Sequence, residues 1–435
     1  MDAEAPAGWQ LLRLAECVER IISGATPKAG DPRYYGAGTI PFARIQDVVA
    51  AGGRPIDRTE LAITENAVRE TAAKVYPPGT ALMTMYGTIG AVAVTARPMA
   101  ANQAIAAFVG PQIDARFLLH MLRQEAPRLA RLAGQTTQAN ISGQILKRHV
   151  VSVPKERGEQ QRIGNILDAI DEAIEKTEAV IAATEDLRKA LLQELLTRGL
   201  PGWHTEWKTV LGIGTIPACW EVVRLGEVAD PNLPGATQSG PFGSDLLHSE
   251  FTDSGKLVIG IDNVLNGEFS LGSQHRISEP KFEKLRKYQA RPGDVLITIM
   301  ATVGRCCVVP EDVEDAVITK HVFRISADSS RANPRFVMTS LLLAPSVLSE
   351  LFASAQGLTR LGLNGTLLRQ IRLPLPALRE QGVVADTQRI LGKRLEGERQ
   401  LATHLRAIKR ETASALLSGR VRVPMKSEIK EQVNV

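Results

Sequence analysis

The residues that most often perform catalysis or bind metals are sparse in this sequence, and their spacing suits neither role. The four cysteines include no Cys-x-x-Cys pair, so the spacing of a zinc site is absent. Cys306 and Cys307 lie in an apolar stretch, which predicts buried, reduced thiols without structural disulfides. The histidines show neither ligand spacing nor a Ser/His/Asp arrangement; they are His120, His149, His204, His248, His275, His321 and His404. We therefore expect no metal site and no catalytic residue in this chain.

The motifs of cofactor-dependent enzymes are also missing from the sequence. A DNA adenine methyltransferase needs an Asn/Asp-Pro-Pro-Tyr/Phe loop to hold the flipped base. The nearest string, Asn333-Pro334-Arg335-Phe336, lacks the second proline. No glycine-rich cofactor fingerprint follows a strand, and no Gly-x-x-x-x-Gly-Lys-Ser/Thr motif of an ATPase occurs. The chain is thus predicted to bind no cofactor of its own.

Length and composition describe an ordinary protein with a mild basic charge. The chain has 435 residues, enough for two or three domains, of which 44% are hydrophobic and 23% charged. A net charge of +5 permits binding to nucleic acid without requiring it. The start, MDAEAPAGWQLLRL, lacks the pattern of a signal peptide, and no stretch reaches the roughly eighteen apolar residues of a membrane helix. We expect a soluble, cytoplasmic protein without membrane contact.

An internal duplication is the most informative pattern. The string WQLLRLAE begins at Trp9 and WEVVRLGE at Trp220, while PGTALMTMYGTIG begins at Pro78 and PGDVLITIMATVG at Pro292. The offset between the copies rises from 211 residues at the tryptophans (220 − 9) to 221 at the later Glu-Gln pairs (380 − 159) and then stays constant. Because this last segment tolerates no difference in length, it is predicted to be a paired helix rather than a loop.

Two long helices are predicted from apolar residues that recur at steps of three and four, the seam of a coiled coil. The first helix is predicted over 159–198, between Pro154 and Gly199. Its seam consists of Ile163, Leu167, Ile170, Ile174, Thr177, Ile181, Thr184, Leu187, Leu191 and Leu195. The second helix is predicted over 380–418, before Gly419. Its seam consists of Val384, Thr387, Leu391, Leu395, Glu398, Leu401, Leu405, Ile408, Thr412 and Leu416.

Each helix is predicted to be roughly 60 Å long, and a lone helix of this kind cannot bury its apolar stripe. We therefore expect the two helices to pack on each other, most simply antiparallel. Polar seam members such as Thr177, Glu398 and Thr412 weaken the seam but can fix its register. An interdomain hairpin of purely structural purpose is the alternative interpretation.

Each half begins with a globule that is predicted to be α+β. Strands are predicted over 81–85, 150–153, 295–299 and 371–373, and amphipathic helices over 116–132 and 335–352. The segments after Gly24 and Gly235 differ strongly between the halves until 45–48 and 261–264, which match in residue type. A shared scaffold with divergent polar loops suits two modules that recognise different targets.

The predicted domain order follows from these elements. A first globule (1–155) is followed by the central long helix (156–199) and a Pro/Gly-containing linker (200–216). A second globule (217–376), the distal long helix (377–419) and a C-terminal tail (420–435) complete the chain.

Several of these strings resemble the specificity subunits of type I restriction–modification systems. They are EQQRIGNILDAIDEAI and LRKALLQELLTRGL, the terminal ALLSGRVRV, and both W-x-x-x-R-L-x-E starts. Each string is degenerate, but their order, duplication and spacing are specific and cover nearly the whole chain. Two features depart from the pattern: the first junction, VPKERGEQ, lacks the proline-rich string at 374–376, and Gly382 costs the second helix about 1 kcal/mol.

The resemblance implies two target-recognition domains joined by two antiparallel helices, with a pseudo-two-fold internal repeat. Each domain would read one half of a split, asymmetric target in double-stranded DNA, and the helices would set the gap between the half-sites. Two methyltransferase subunits and, for cleavage, restriction/translocase subunits would assemble on the chain. Catalysis would then belong to these partners, and S-adenosylmethionine would bind the methyltransferase subunit.

Reading a DNA sequence requires side chains at base edges, where Asn and Gln suit adenine and Arg and Lys suit guanine or phosphate. We predict such contacts from polar residues near the divergent loops or directly after the repeated strands. In the first globule they are Lys28, Arg44, Gln46, Tyr86, Thr88, Asn102, Gln103, Thr136, Thr137 and Asn140. In the second globule they are Ser244, Asn263, Thr302, Arg305, Lys320, His321, Thr359 and Arg360.

Two other protein classes remain open at this point. A stand-alone enzyme, such as a fused methyltransferase, would bind S-adenosylmethionine tightly. A coiled-coil adaptor without DNA contact would show absent or salt-insensitive DNA binding.

Overall fold

A computed structural model of the chain describes residues 5–132, 140–272, 274–356 and 363–423. The chain divides into two compact units. The first unit comprises residues 1–178 and 400–435, and the second comprises residues 179–399. Each unit therefore contains one globule together with part of each long helix.

Two β-sheets form the globule of the first unit. The five-stranded sheet has the order Val18–Ser23, Ile105–Pro111, Ala81–Thr84, Val92–Thr95 and Pro55–Ile56. The four-stranded sheet has the order Leu61–Ile63, Ile40–Ala43, Met99–Ala101 and Val75–Tyr76. A separate antiparallel pair joins Trp9–Arg13 to Val150–Pro154. The α-helices are Pro32–Tyr35, Ile45–Ala51, Glu65–Glu70, Ala115–Leu132 and Gly143–Arg148.

The globule of the second unit repeats this plan. One four-stranded sheet has the order Thr237–Ser239, Val322–Ile325, Val295–Thr298 and Cys306–Val308. The other has the order His275–Ile277, Lys256–Ile259, Ala316–Ile318 and Gln289–Ala290. Again a separate antiparallel pair, Glu221–Arg224 with Arg372–Leu375, joins the start of the globule to its end. The α-helices are Glu279–Leu285, Pro334–Leu343, Pro345–Gln356 and Gly365–Gln370.

The long helices span Arg157–Arg198 and Leu378–Leu417, and within each unit they pack antiparallel. In the first unit, Asp171 of the first long helix pairs with Lys409 of the second, and Glu178 pairs with Arg406 at 2.6 Å. In the second unit, Glu185 pairs with Arg399 at 2.5 Å. The predicted antiparallel pair of long helices is confirmed.

Each unit has an apolar core that includes the long helices. Ile163 and Leu416 are buried in the first unit in one cluster with Phe117 of the globule. Leu195 and Val384 occupy the corresponding positions in the second unit's cluster. Burying one side chain of this size stabilises the fold by roughly 1.5–3 kcal/mol. The helix ends are therefore part of the globule cores rather than attachments to them.

The predicted seam is wrong at several positions, where the buried stripe lies one residue further along, whereas Leu195 and Leu416 are buried as predicted. Leu187 is 58% exposed, whereas Leu192 is fully buried. The second helix shows the same shift, because Leu401 and Ile408 are exposed while Ala402 is buried. An α-helix has 3.6 residues per turn, so a straight pair drifts away from a strict 3.5-residue repeat. The stripe then passes through two cations, Arg188 and Lys409, which a search for apolar residues does not select.

One further prediction needs correction. The helix predicted over 335–352 is broken at Ala344 because Pro345 lacks an N–H and pushes the preceding residue out of the helical conformation; Ala344 has ψ 120°. In the region of the predicted linker, Trp207–Val210 and Gly214–Pro217 form an antiparallel hairpin.

In the described part of the chain, no single helix has both the length and the apolarity to cross a membrane. One bent helix pair, Pro334–Leu343 with Pro345–Ala353, meets the criteria by length and composition.

Candidate nucleic-acid interface

In the first unit, three loops that carry predicted DNA-contacting residues meet at the end of the central strand Ala81–Thr84. The backbone N–H of Met85 donates to the carbonyl oxygen of Ala104 at 2.7 Å. The N–H of Ile141 donates to the carbonyl of Met85 at 3.0 Å, and Tyr86 bridges to Asn140. Backbone hydrogen bonds therefore bring together the residues that follow three separate elements.

The second unit builds the same junction from the repeated residues. The N–H of Ile299 donates to the carbonyl of His321 at 2.9 Å. The N–H of Leu363 donates to the carbonyl of Ile299 at 2.8 Å. Two globules with divergent loop sequences thus share the backbone frame that presents these loops.

A threonine organises the central loop of each junction. Thr84 Oγ1 donates to the carbonyl of Thr88, and Thr298 Oγ1 donates to the carbonyl of Thr302. The loops also need left-handed backbone: φ is +64° at Gly87 and +62° at Ala301. The side chains at positions 86–88 and 300–302 therefore project from a turn whose shape is fixed by its own hydrogen bonds.

A glycine lets the neighbouring strand approach each junction closely. A Cβ at Gly24 would lie 2.2 Å from the carbonyl oxygens of Ala101 and Asn102. A Cβ at Gly240 would lie 2.3 Å from the carbonyl oxygen of Ile318. A loop whose sequence differs between the globules begins at each glycine. The close approach holds this loop against the loop at 102–104 in the first globule or 319–321 in the second.

The junction of the first unit contains five of the predicted residues. Tyr86, Thr88, Gln103 and Asn140 are exposed there, and Asn102 is half-buried. Asn102 Oδ1 accepts the N–H of Ala104 at 3.2 Å, so this side chain also shapes its own loop. The remaining residues, Lys28, Arg44 and Gln46, lie outside the junction's hydrogen bonds, and Thr136 and Thr137 lie outside the described residues.

Arg44 and Gln46 form a separate polar cluster with Glu60. Both Arg44 Nη2 and Gln46 Nε2 donate to Glu60 Oε2, the latter at 2.9 Å. The Glu60 side chain is 70% exposed and that of Arg44 is 26% exposed. A phosphate or base that binds Arg44 must therefore displace the Glu60 carboxylate or share the guanidinium with it.

In the second unit, Thr302, Lys320 and His321 lie at the junction and Arg305 follows directly. Lys320 is exposed, whereas the other three are half-buried. Burial, and then the charge of Lys320, hold the pKa of His321 below its ordinary value. A neutral imidazole offers one donor and one acceptor, which suits contact with a base edge.

The other predicted residues of the second globule have different surroundings. Asn263 is buried: its Oδ1 accepts the N–H of Gly260 at 2.9 Å and its Nδ2 donates to the carbonyl of Ser270 at 2.8 Å. Its equivalent in the first globule is Asp47, which accepts the N–H of Arg44 at 2.8 Å. The Ser244 side chain, Thr359 and Arg360 lie outside what the structure describes.

Sequence reasoning missed two residues of the interface. Thr26 Oγ1 donates to Gln103 Oε1 and so orients a predicted base-reading amide. Glu60 orients Arg44 and Gln46 but is an acid, a residue type that a search for donors to DNA does not select. Thr26 could have been suspected because it follows Gly24 at the start of the divergent loop.

The histidines and acids show no metal cluster anywhere in the described ranges. Cys17, Cys306 and Cys307 are buried, and Cys219 is exposed. Burial raises the pKa of Cys307 and of Cys17 to about 12, so both thiols stay protonated and unreactive. The prediction that Cys306 and Cys307 are buried is confirmed.

Comparison with known proteins decides the family. The model for the type I restriction modification DNA specificity domain matches residues 6–183 and again residues 217–406. The chain belongs to this family. Its two matches cover the two halves of the internal repeat, one globule each.

Known specificity subunits are similar over most of their length. The MjaVIII specificity subunit of Methanocaldococcus jannaschii is 23% identical over 425 residues, 96% of this chain and 94% of that protein. The EcoBI specificity subunit of Escherichia coli is 24% identical over 314 residues, 69% of this chain and 64% of that protein. With the family match, these relatives identify the chain as a specificity subunit, the non-catalytic DNA-recognition component of such a system.

Solved structures share the fold. The S subunit from M. genitalium superposes with a TM-score of 0.58 and 14% identity, covering 96% of this chain and 97% of that one. A chain from a study of complex assembly and conformational transition of the type I R-M system gives a TM-score of 0.59 and 17% identity, covering 96% and 100%. The predicted fold of two globules with two long antiparallel helices is confirmed.

Proposed function

We propose that this specificity subunit reads a split, asymmetric DNA target, with one globule for each half-site. The observation that carries the proposal is the duplicated junction, in which equivalent backbone hydrogen bonds present unlike side chains. Asn102 and Gln103 in the first globule stand where Thr319 and Lys320 stand in the second. Amides suit adenine and a lysine suits guanine or phosphate, so the two half-sites are expected to differ.

The long helices are proposed to set the gap between the half-sites. Their pairing within each unit and the constant offset of 221 residues (380 − 159) support this role, because equal helices give each globule the same relation to its helix ends. A helix lengthens by 1.5 Å per residue and B-DNA by 3.4 Å per base pair, so helix length translates directly into base pairs.

Partner assembly completes the proposal. Two methyltransferase subunits and, for cleavage, restriction/translocase subunits would dock on the long helices and the shared framework of the globules. The methyltransferase subunit would hold S-adenosylmethionine, and this chain would bind no cofactor. The complex would act on double-stranded DNA in the cytoplasm.

A segment exchange tests the division of labour between globules. Replacing Trp220–Leu373 by the equivalent segment of a related subunit is expected to change one half of the methylated motif and leave the other unchanged. Methylome sequencing of a host carrying the parental or exchanged gene measures both halves at once. Exchanging the first globule instead is the matched control and should alter the opposite half. A change in both halves after either exchange would contradict one globule per half-site.

A further inference from the structure

A pocket of about 590 Å³ in the second unit lies beside the junction and has an unusual lining. Thr302 and Arg305 line it from the junction loop, and Arg188 and Gln388 line it from the two long helices. Leu342 and Leu351 contribute to its apolar wall. No carboxylate belongs to the described lining, so Arg188 and Arg305 have no acidic partner within that lining.

One polar side chain reaches this pocket from the second long helix. Gln388 is only 8% exposed, but its amide atoms are not shielded from solvent, so the amide is accessible to a ligand that enters the pocket. Thr302 Oγ1, by contrast, is inaccessible to solvent and has no hydrogen-bond partner among the described residues.

Arg188 carries its charge under the same conditions. The guanidinium forms no ion pair with any described residue, and its neighbour Glu185 is engaged by Arg399 at 2.5 Å. Burial, and then the charge of Arg399, hold the pKa of Arg188 below its ordinary value, with Glu185 opposing them. A half-buried guanidinium that pairs with no described carboxylate is available to an anionic ligand.

The internal repeat identifies where the counter-charge would have been. At the offset of 221 residues, Arg188 corresponds to Lys409 (409 − 188) and Asp171 corresponds to Gly392 (392 − 171). In the first unit, Lys409 pairs with Asp171. In the second unit glycine replaces the acid, so Arg188 lacks the carboxylate partner that Lys409 has in the first unit.

We propose that this pocket binds a phosphate oxyanion, with Arg188 and Arg305 as the cations and the Gln388 amide as a hydrogen-bond donor. Guanidinium groups bind phosphate oxygens in bidentate geometry, and the apolar wall strengthens the attraction by excluding water. Thr302 belongs both to the pocket and to the junction, which favours phosphate over other anions. The phosphate can belong to the DNA backbone, a source that rests on the proposed function, or to a free phosphate or nucleotide.

Two variants of the full chain test the pocket. Arg188→Gln removes the cation, and Gly392→Asp restores the carboxylate that the first unit possesses. A Cβ at Gly392 would meet no atom within 4 Å, so the second variant is expected to fold and to fill the site with an internal anion. Arg389→Gln is the matched control: Arg389 lies on the second long helix, pairs with Asp386 at 3.0 Å and does not line the pocket. Thermal unfolding verifies that all three variants are folded.

Calorimetric titration with inorganic phosphate measures whether the pocket binds free phosphate. Binding to the unaltered chain with at least about tenfold loss in both Arg188→Gln and Gly392→Asp, but not in Arg389→Gln, would support the site. Measuring the affinity for a mixed-sequence DNA duplex at increasing salt concentration tests whether the pocket binds a phosphate of the DNA backbone. If phosphate alone does not bind, reduced duplex affinity in both variants, with a salt slope lower by about one ion, would support the site as a DNA-phosphate contact.

Unchanged binding of both probes in the folded variants would overturn the proposal. If the unaltered chain binds phosphate but no duplex, the proposed function fails while the pocket stands. If it binds neither probe, the pocket proposal fails as well.

Discussion

Ala301 occupies a backbone conformation that suits glycine. Its φ of +62° is nearly the same as the +64° of Gly87, its equivalent in the first junction. The left-handed region costs an L-residue roughly 1–2 kcal/mol, partly offset by the greater freedom of glycine in the unfolded chain. The junction loop of the second globule is therefore built with strain that the first globule avoids.

We predict that Ala301→Gly raises the free energy of unfolding by about 0.5–1 kcal/mol, because it relieves this strain. The reciprocal change, Gly87→Ala, should lower stability by a similar amount. A Cβ at Gly87 would find its nearest neighbour 3.9 Å away, so conformation rather than space decides the result. Denaturant unfolding measures the change in the free energy of unfolding for both variants. Destabilisation by Ala301→Gly would show that the loop conformation is not the one described.

The two repeated tryptophans differ in one hydrogen bond. Trp220 Nε1 donates to Glu380 Oε2 at 3.1 Å, and the same carboxylate accepts from the N–H of Leu200 at 3.0 Å. Trp9 Nε1 has no hydrogen-bond partner within the described ranges, although the ring is buried to a similar degree.

Replacing each tryptophan by phenylalanine should therefore give unequal results. Trp220→Phe removes a donor from a buried carboxylate and is expected to destabilise by about 1.5–3 kcal/mol more than Trp9→Phe, which removes none. Comparing the two free energies of unfolding cancels the shared loss of ring volume. Equal losses would mean that the bond to Glu380 contributes nothing.

At the scale of residues, the sequence selected polar residues by their position in the chain and could not predict what each side chain does. Tyr86, Asn102 and Asn140 were selected from different segments and lie in one junction. Asn263 was selected because asparagine suits adenine, but the structure uses its amide to close a turn. The equivalent residue in the first globule is Asp47. Because an aspartate and an asparagine side chain share only the ability to accept an N–H, this pair indicates a structural role in the turn. Contact with DNA stays a prediction for all of these residues.

At the scale of elements, the long helices were predictable because the periodic recurrence of apolar residues continues over about forty residues. Their ends lie within two residues of the predicted ones at Arg157 and Leu378. The seam was predictable only where it is apolar. Where it passes through Arg188 and Lys409, a hydrophobic pattern selects the exposed neighbours Leu187 and Ile408 instead.

The corrected seam predicts how leucine truncations behave. Leu167→Ala opens a cavity at a fully buried position and should cost about 2–5 kcal/mol. Leu187→Ala, a matched change on the same helix at a position 58% exposed, should cost less than about 0.5 kcal/mol. Chemical denaturation distinguishes the two. A large loss for Leu187→Ala would restore the strictly periodic seam predicted from the sequence.

At the scale of the whole molecule, duplication made the fold predictable from one sequence. The two copies of each motif act as an internal comparison, so insertions mark loops and constant spacing marks paired helices. The same comparison reveals what separates the halves, such as the acid at Asp171 that becomes Gly392. The target sequence was not predictable, because base contacts depend on loop side chains that differ between the two halves.

The central claim is that the two helices determine the distance between two half-sites read by unlike globules. Inserting four residues at matched positions in each long helix lengthens it by about 6 Å, equivalent to one to two base pairs. Methylome sequencing of a host carrying the lengthened subunit measures the motif directly. We predict both half-sites unchanged and a gap wider by one or two base pairs. An unchanged gap with intact methylation, or an altered half-site, would contradict this account.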